Sequence, residues 1–143
     1  MIKGEIMLRS LCIVVCLSLF VAAQPAQATD LSGCWSGSWG SCTSRHRGPL
    51  NATFTRCNEQ QYEVTFSGRF FKIMPFRYSV TLDVTEDCDV VKLSGSSYLG
   101  RLMGTFNYRA QATECHFSSS YSSCKDHGWF ELSRCSSGNS CCQ

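Results

Sequence analysis

Aromatic side chains are the residues of this sequence whose types and spacing are most typical of binding. Trp35 and Trp39 lie four residues apart, and Trp129 precedes Phe130 near the other end of the chain. Such rings, where a fold leaves them exposed, mark surfaces for protein or sugar partners. We therefore predict a ligand-binding role for Trp35, Trp39 and Trp129, with cover by the tail or by a neighbouring chain as the alternative.

The three histidines do not form a pattern typical of catalysis. A hydrolase needs a nucleophile beside a base that a carboxylate orients. His127 follows Asp126, but adjacent strand residues point to opposite faces of a sheet, and there is no Gly-x-Ser-x-Gly motif. His46 lies in a short basic turn, and His116 has no ligand-like spacing to the other two. We predict a protein that is not an enzyme and has no cofactor and no metal site.

The cysteine content indicates an oxidising compartment. Eleven cysteines occur in 143 residues, and Cys12 and Cys16 fall within an apolar leader. The other nine are disulfide candidates: Cys34, Cys42, Cys57, Cys88, Cys115, Cys124, Cys135, Cys141 and Cys142. The sequence has no C-x-x-C pair, which is the spacing typical of a zinc site. We therefore predict a disulfide framework, and because nine is odd, one thiol is left unpaired or bonds to another molecule.

Two disulfide pairings follow from local sequence. Cys115 and Cys124 bracket a serine-rich stretch that could form a hairpin tied at its base. Cys57 and Cys88 both lie beside turn sequences and could join neighbouring loops. Connectivity is otherwise open, because spacing alone does not determine it.

Residues 1–28 have the features of a secretory signal peptide. Lys3 and Arg9 precede the apolar run 11–23, and Ala26 and Ala28 provide a small-x-small cleavage pattern. We predict one domain over residues 29–135, a Ser/Cys-rich tail over 136–143, no transmembrane segment after cleavage, and a secreted, periplasmic or cell-envelope location. The alternative is lipidation of Cys34, because residues 31–34 match a lipobox.

The predicted mature chain is nearly neutral. It contains 11 Lys and Arg residues against 10 Asp and Glu residues. This balance gives no electrostatic argument for a nucleic acid or for an anionic membrane surface. The hydrophobic content of 43% excludes disorder as the bulk state.

Period-two alternation is the dominant pattern of the mature chain. Between residues 76 and 84, apolar side chains occupy every second position, as a half-buried strand requires. We predict eight strands, near residues 33–42, 48–57, 61–71, 76–85, 89–97, 104–113, 115–122 and 128–135. The connections are too short for crossover helices, so neighbours pair antiparallel. The fold prediction is an all-β, disulfide-stapled meander closed into an up-and-down barrel, with an open sandwich as the alternative.

Two family resemblances support this fold. The opening Gly33-Cys34-Trp35 with a closing Arg134 resembles the lipocalin and avidin barrels, in which a late arginine or aromatic residue covers the first-strand tryptophan. The whole mature chain is similar to short secreted planctomycete proteins of unknown function. The shared elements are Trp35-Ser-Gly-Ser-Trp39, His46-Arg-Gly48, Gly68-Arg-Phe70, Pro75-Phe-Arg-Tyr78 and Gly128-Trp-Phe-Glu-Leu-Ser-Arg134. The second resemblance implies export and fold, and no chemistry.

These observations predict a secreted, non-catalytic binding or envelope-associated protein. The expected partner is a small molecule, a glycan or an envelope protein, and not a nucleic acid. Two alternatives stay open, a disulfide-crosslinked structural component of the envelope and an inhibitor of secreted hydrolases.

Overall fold

The computed structural model describes residues 29–135, which contain eight strands and one helical turn. The predicted signal peptide and the predicted tail lie outside the described residues. The strands are β1 (Gly33–Ser41), β2 (Arg47–Asn58), β3 (Gln61–Phe70), β4 (Met74–Asp87), β5 (Val91–Tyr98), β6 (Thr105–Ala112), β7 (His116–Ser122) and β8 (His127–Arg134), and the turn is α1 (Gly100–Met103).

The strands form a closed antiparallel barrel in sequence order. Each strand pairs with the next, and β8 pairs with β1 to close the sheet. This confirms the predicted up-and-down barrel, and the sandwich alternative is wrong. Every predicted strand end lies within two residues of the observed one. The turn α1 was not predicted, because four residues are too few to show a helical period.

Alternation places the core inside the barrel. In β6, Phe106, Tyr108, Ala110 and Ala112 are buried and the residues between them are exposed. The same period in the other strands fills the interior with packed rings and aliphatic side chains. Within residues 29–135, no helix has the length and the apolar character needed to span a bilayer.

One end of the barrel is covered by the chain itself, and we call it the closed end. The segment 29–32 contacts Tyr62 on β3 and Arg134 on β8, and Leu31 within it is fully buried. The indole Nε1 of Trp35 donates to the carbonyl of Leu31 at 3.0 Å. The closed end also carries the loops 59–60, 88–90 and 113–115.

Arg134 holds this cover in place. Its guanidinium donates to the carbonyls of Asp30, Ser32 and Glu114, and its carbon lies 4.6 Å from the centroid of the Trp35 ring. A late arginine therefore covers the first-strand tryptophan, as the lipocalin and avidin resemblance implied. The opposite end, with the loops 42–46, 71–73, 99–104 and 123–126, is called the open end below.

Two glycines let β1 and β8 approach closely at the closing seam. A Cβ on Gly37 would lie 2.0 Å from the carbonyl oxygen of Glu131, and one on Gly128 would lie 2.0 Å from that of Gly40. Real Cβ atoms are not found so close to backbone atoms. The seam therefore requires glycine at both positions.

The predicted disulfide pairings are not formed. Cys42, Cys57, Cys88, Cys115 and Cys124 are exposed free thiols. The Cys115–Cys124 pairing is wrong because residues 116–122 form the single strand β7 and not a hairpin. This strand is roughly 23 Å long and places Cys115 at the closed end and Cys124 at the open end. Cys57 and Cys88 both lie at the closed end but are not bonded. Cys141 and Cys142 lie outside the described residues.

Candidate functional site

The three predicted ligand-binding tryptophans occupy three separate environments. Trp35 is fully buried at the closed end, against Phe54 and Arg134. Trp39 is inside the barrel near the open end and is 4% exposed. Trp129 lies half-buried on the outer face of β8. The structure does not bring these three residues together. Of the three, Trp39 lies in the buried, aromatic interior near the open end, which is the environment that suits an enclosed ligand.

Trp39 lies beneath two half-buried phenylalanines. The ring centroids of Phe70 and Phe76 lie 5.0 and 6.1 Å from that of Trp39, and 4.5 Å from each other. Phe70 ends β3 and Phe76 begins β4, so both rings belong to the hairpin that turns at residues 71–73. The rings that contact Trp39 therefore belong to a hairpin of the open end.

Tyrosines line the barrel below this group. The ring of Tyr108 lies 6.5 Å from that of Tyr78 and 6.4 Å from that of Phe66, both in stacked orientation. Tyr121 donates its hydroxyl to Asp126 Oδ2 at 3.0 Å. The half of the barrel interior at the open end is therefore aromatic, with tyrosine hydroxyl groups among the rings.

Two buried polar atoms in this half have no hydrogen-bond partner among residues 29–135. They are the indole Nε1 of Trp39 and the hydroxyl of Tyr108, which interacts with the Tyr78 hydroxyl without a well-directed hydrogen bond. Leaving such a group unsatisfied costs about 1–3 kcal/mol. An oxygen acceptor that entered the barrel would recover that cost at the indole N–H, and the tyrosine hydroxyl can donate or accept.

The Asp126 carboxylate joins the loop 123–126 to the open ends of β1 and β7. Its carboxylate accepts hydrogen bonds from the hydroxyls of Ser41 at 2.7 Å and Tyr121 at 3.0 Å. The Nδ1 atom of His127 lies 3.1 Å from the Thr43 hydroxyl. The adjacent aspartate and histidine therefore have different partners and do not form an acid–base pair.

The other two histidines lie on the surface. The Nε2 atom of His116 is 3.0 Å from Glu131 Oε2, and both side chains are about half exposed. The ring of His46 packs edge-on against Phe71 with centroids 4.3 Å apart. Among the described residues, neither histidine ring has a hydroxyl or thiol nucleophile as a hydrogen-bond partner.

A shallow groove of about 740 Å³ runs along the outer face of β5 to β8. Trp129 lies at its side, next to Gly40, which leaves room for the indole ring. The groove is lined mainly by solvated polar side chains, including Arg109, Ser118 and Glu131. It lacks the unpartnered buried atoms of the barrel interior, so it is the weaker binding candidate.

No known protein family matches the chain, and no curated protein is significantly similar to it. The fold is similar to that of a solved structure described as EF1p2_mFAP2b bound to DFHBI, with 14% sequence identity and a TM-score of 0.54. The match covers 73% of this chain and 94% of that chain. The likeness establishes the barrel fold. That protein is a ligand-bound barrel, whereas its identity to this chain is too low to transfer a site.

The sequence indicated the rings of the site but not its polar atoms. Tyr78 and Tyr108 fit the alternating pattern as core residues, and nothing in that pattern shows whether a buried hydroxyl finds a partner. A partner depends on which strand faces which across the barrel, which only the register determines.

Stability should fall steeply at alkaline pH because of the buried tyrosines. Burial raises the pKa of Tyr78, Tyr108 and Tyr121 above the ordinary value of 10.0, to about 12 for Tyr108. Below pH 10, folded and unfolded chains both keep these protons, so stability is fully retained. Between pH 10 and 12 the unfolded chain loses them first, which favours unfolding. Urea midpoints at pH 8, 10 and 11.5 check this, and a flat profile to pH 12 would contradict it.

Replacing Tyr108 with phenylalanine should not destabilise the ligand-free protein. The change keeps the ring and removes a buried hydroxyl that has no well-directed hydrogen bond, the Tyr78 hydroxyl being its neighbour, so we expect the free energy of unfolding to stay level or rise by about 1 kcal/mol. Equilibrium urea unfolding measures the difference. Tyr121→Phe is the matched control and should lower stability by about 1 kcal/mol, because that hydroxyl is bonded to Asp126. Equal losses in both variants would mean that the Tyr108 hydroxyl has a partner.

Proposed function

We propose that this chain is a non-catalytic, extracytoplasmic binding protein. Its ligand is a small, flat, largely apolar molecule with an oxygen acceptor. The ligand enters at the open end, displaces Phe70 and Phe76, and lies against Trp39 with its acceptor on the indole N–H. The observation that carries the proposal is the unpartnered buried indole Nε1 of Trp39, in the aromatic half of the barrel that also holds the poorly bonded hydroxyl of Tyr108.

Three further observations support this proposal. The rings around Trp39 provide apolar stacking surfaces, which most small-molecule sites use with a few polar groups. The similar solved barrel is described as bound to DFHBI. The predicted leader, although outside the described residues, supports export, and the resemblance to secreted planctomycete proteins agrees with it.

The test uses native mass spectrometry and then a probe titration. Protein purified from its source under gentle conditions should retain extra mass that denaturation releases. DFHBI, the molecule bound to the similar solved barrel, serves as the probe, and isothermal titration calorimetry measures its binding. Trp39→Phe removes the indole N–H and Tyr108→Phe removes the hydroxyl, and we expect each to weaken binding by roughly tenfold, the effect of one buried hydrogen bond.

Trp129→Phe is the matched control because its ring lies on the outer face. It should leave the dissociation constant unchanged. Equal affinity in the Trp39 and control variants would overturn the proposed position of the ligand. A protein without retained mass that also ignores the probe would overturn small-molecule binding itself.

The exposed thiols favour a second candidate function, crosslinking within the envelope. Cys42 and Cys124 lie at the open end, and Cys57, Cys88 and Cys115 lie at the closed end. Thiols at both ends of a barrel could join copies end to end in an oxidising compartment. Covalent oligomers on a non-reducing gel that collapse to monomer with reductant would favour this function, and a monomer without reductant would exclude it.

A further inference from the structure

The net charge of the chain is close to neutral, but basic and acidic residues are concentrated at opposite ends of the barrel. The half of the barrel at the open end has seven exposed basic residues and one acidic residue, Asp126. The basic residues are Arg45, Arg47, Arg69, Lys72, Arg77, Arg101 and Lys125. The net charge gives no electrostatic argument for an anionic surface, but the distribution of charge gives one at this end of the molecule.

The half at the closed end has the opposite charge. It contains three basic residues, Arg56, Lys92 and Arg134, and eight exposed acidic ones. The acidic residues are Asp30, Glu59, Glu63, Asp83, Glu86, Asp87, Asp89 and Glu114. Arg109 and Glu131 lie near the middle of their strands and belong to neither half. The open end alone is positive, so it is the end that an anionic partner would meet.

Large exposed apolar side chains cluster at the same end. Of the seven in residues 29–135, six lie on the loops 71–73 and 99–104 or beside them, and Val90 is at the closed end. The six are Phe71, Ile73, Met74, Tyr98, Leu102 and Met103. Ile73 and Leu102 are 82% and 83% exposed. Isolated exposed apolar residues are ordinary, but a cluster of six on two loops marks an interaction surface.

Contacts with neighbouring loops hold both apolar loops in place. Phe71 packs on the ring of His46 in the loop 42–46. The Nζ atom of Lys125 donates to the carbonyl of Leu102 at 2.8 Å. The exposure of Ile73 and Leu102 is therefore a feature of two anchored turns.

We propose that the open end docks on an anionic lipid bilayer, with Ile73 and Leu102 entering the headgroup region and the basic residues around them binding lipid phosphates. Exposed apolar side chains on turns, with basic side chains on the same loops and on the adjoining strand ends, suit the surface of an anionic bilayer. Four of the six apolar side chains, those of Ile73, Met74, Leu102 and Met103, are not aromatic and cannot stack on bases. The Phe71 ring already packs on His46, which leaves Tyr98 as the other ring of the six, so the surface favours lipid over a nucleic acid. Ile73 and Leu102 project from turns and do not line a groove, which disfavours a peptide.

This docking is independent of the proposed ligand site, because its side chains lie outside the barrel. It would place the path to Trp39 at the bilayer surface. Trp39→Phe should alter DFHBI binding and leave lipid binding unchanged, and changes at Ile73 should do the reverse. Failure of one proposal is thus distinguishable from failure of the other.

Vesicle sedimentation tests the proposal. The protein is mixed with vesicles of phosphatidylcholine containing 30% phosphatidylglycerol or of phosphatidylcholine alone. We expect the protein to sediment with the anionic vesicles, and added salt should weaken this binding. The partition coefficient for the neutral vesicles should be roughly tenfold lower. We expect Ile73→Asp with Leu102→Asp, and separately Arg69→Gln with Arg101→Gln, each to reduce the partition coefficient at least roughly tenfold.

Val90→Asp and Lys92→Gln at the closed end are the matched controls and should bind as the unchanged protein does. All variants alter exposed side chains, and circular dichroism confirms that each is folded. Absent binding to anionic vesicles, or equal loss in the closed-end controls, would overturn the proposal. A third outcome would also overturn the proposal. If vesicle binding is absent and analytical ultracentrifugation shows a dimer that becomes a monomer in the Ile73 and Leu102 variant, the open end pairs with a second copy of the chain.

Discussion

Replacing Gly37 with alanine is expected to destabilise the protein by more than about 3 kcal/mol. The new Cβ would lie 2.0 Å from the Glu131 carbonyl oxygen and 2.9 Å from the Leu132 Cα. Both are backbone atoms of β8, so no side-chain rotation relieves the contact. The strands must move apart, which breaks hydrogen bonds at the seam that closes the barrel.

Urea unfolding measures this loss, with Gly100→Ala as the control. A Cβ at Gly100 meets nothing within 4 Å, but its φ of +87° is unfavourable for alanine and should cost about 1–2 kcal/mol. If Gly37→Ala is insoluble while Gly100→Ala is soluble, this also shows that the Gly37 substitution is the more destabilising of the two. Equal stability of the two variants would show that the seam relaxes around the added methyl group.

Replacing Arg134 with alanine is expected to cost about 3–4 kcal/mol of unfolding free energy. The change removes hydrogen bonds to three carbonyls and the cation from the face of Trp35. The carbonyls of Asp30 and Ser32 lose their partner, and the segment that covers the closed end loses its attachment to β8. Exchange of the amide hydrogens of residues 29–35 should accelerate with the loss of stability.

Two variants separate the geometry of Arg134 from its charge. Arg134→Lys keeps the charge but has no planar fork to reach three carbonyls, so we expect it to recover only part of the loss. Arg77→Ala removes an exposed arginine and should change stability by no more than roughly 0.5 kcal/mol. If Arg134→Ala resembles Arg77→Ala in both measurements, the arginine is not what holds the cover.

The sequence predicted the barrel because the fold is built from local patterns. Alternation located each strand, and turn sequences such as those around residues 59–60 and 125–126 separated neighbouring strands. Short connections left antiparallel pairing between neighbours as the consistent topology. Closure by β8 on β1 followed from the need to remove two exposed edges. The lengths of β4 and the turn α1 were less accurate, because residues 74–75 and 100–103 carry no clear period.

The candidate site was much less predictable, for reasons that are also physical. Trp35, Trp39 and Trp129 looked equivalent in sequence, yet their environments are the closed end, the barrel interior and the outer face. The local reading of Cys115 and Cys124 failed because a strand, and not a turn, joins them. The total charge concealed the basic open end, since opposite charges far apart along the chain cancel in a sum. Each of these properties depends on contacts between residues distant in sequence.

The seam between β1 and β8 brings the two ends of the described chain close enough for circular permutation. The backbone N–H of Cys135 donates to the carbonyl of Cys34 at 3.0 Å, so β1 begins beside the end of β8. A short linker could therefore join residues 29 and 135, and new termini could be opened in the exposed loop 88–90. In such a circular permutant, β8 to β1 becomes an ordinary hairpin and β4 to β5 becomes the pairing distant in sequence. Since loop closure is slow for distant pairings, the permutant would assemble its strands in a different order and reach the same barrel.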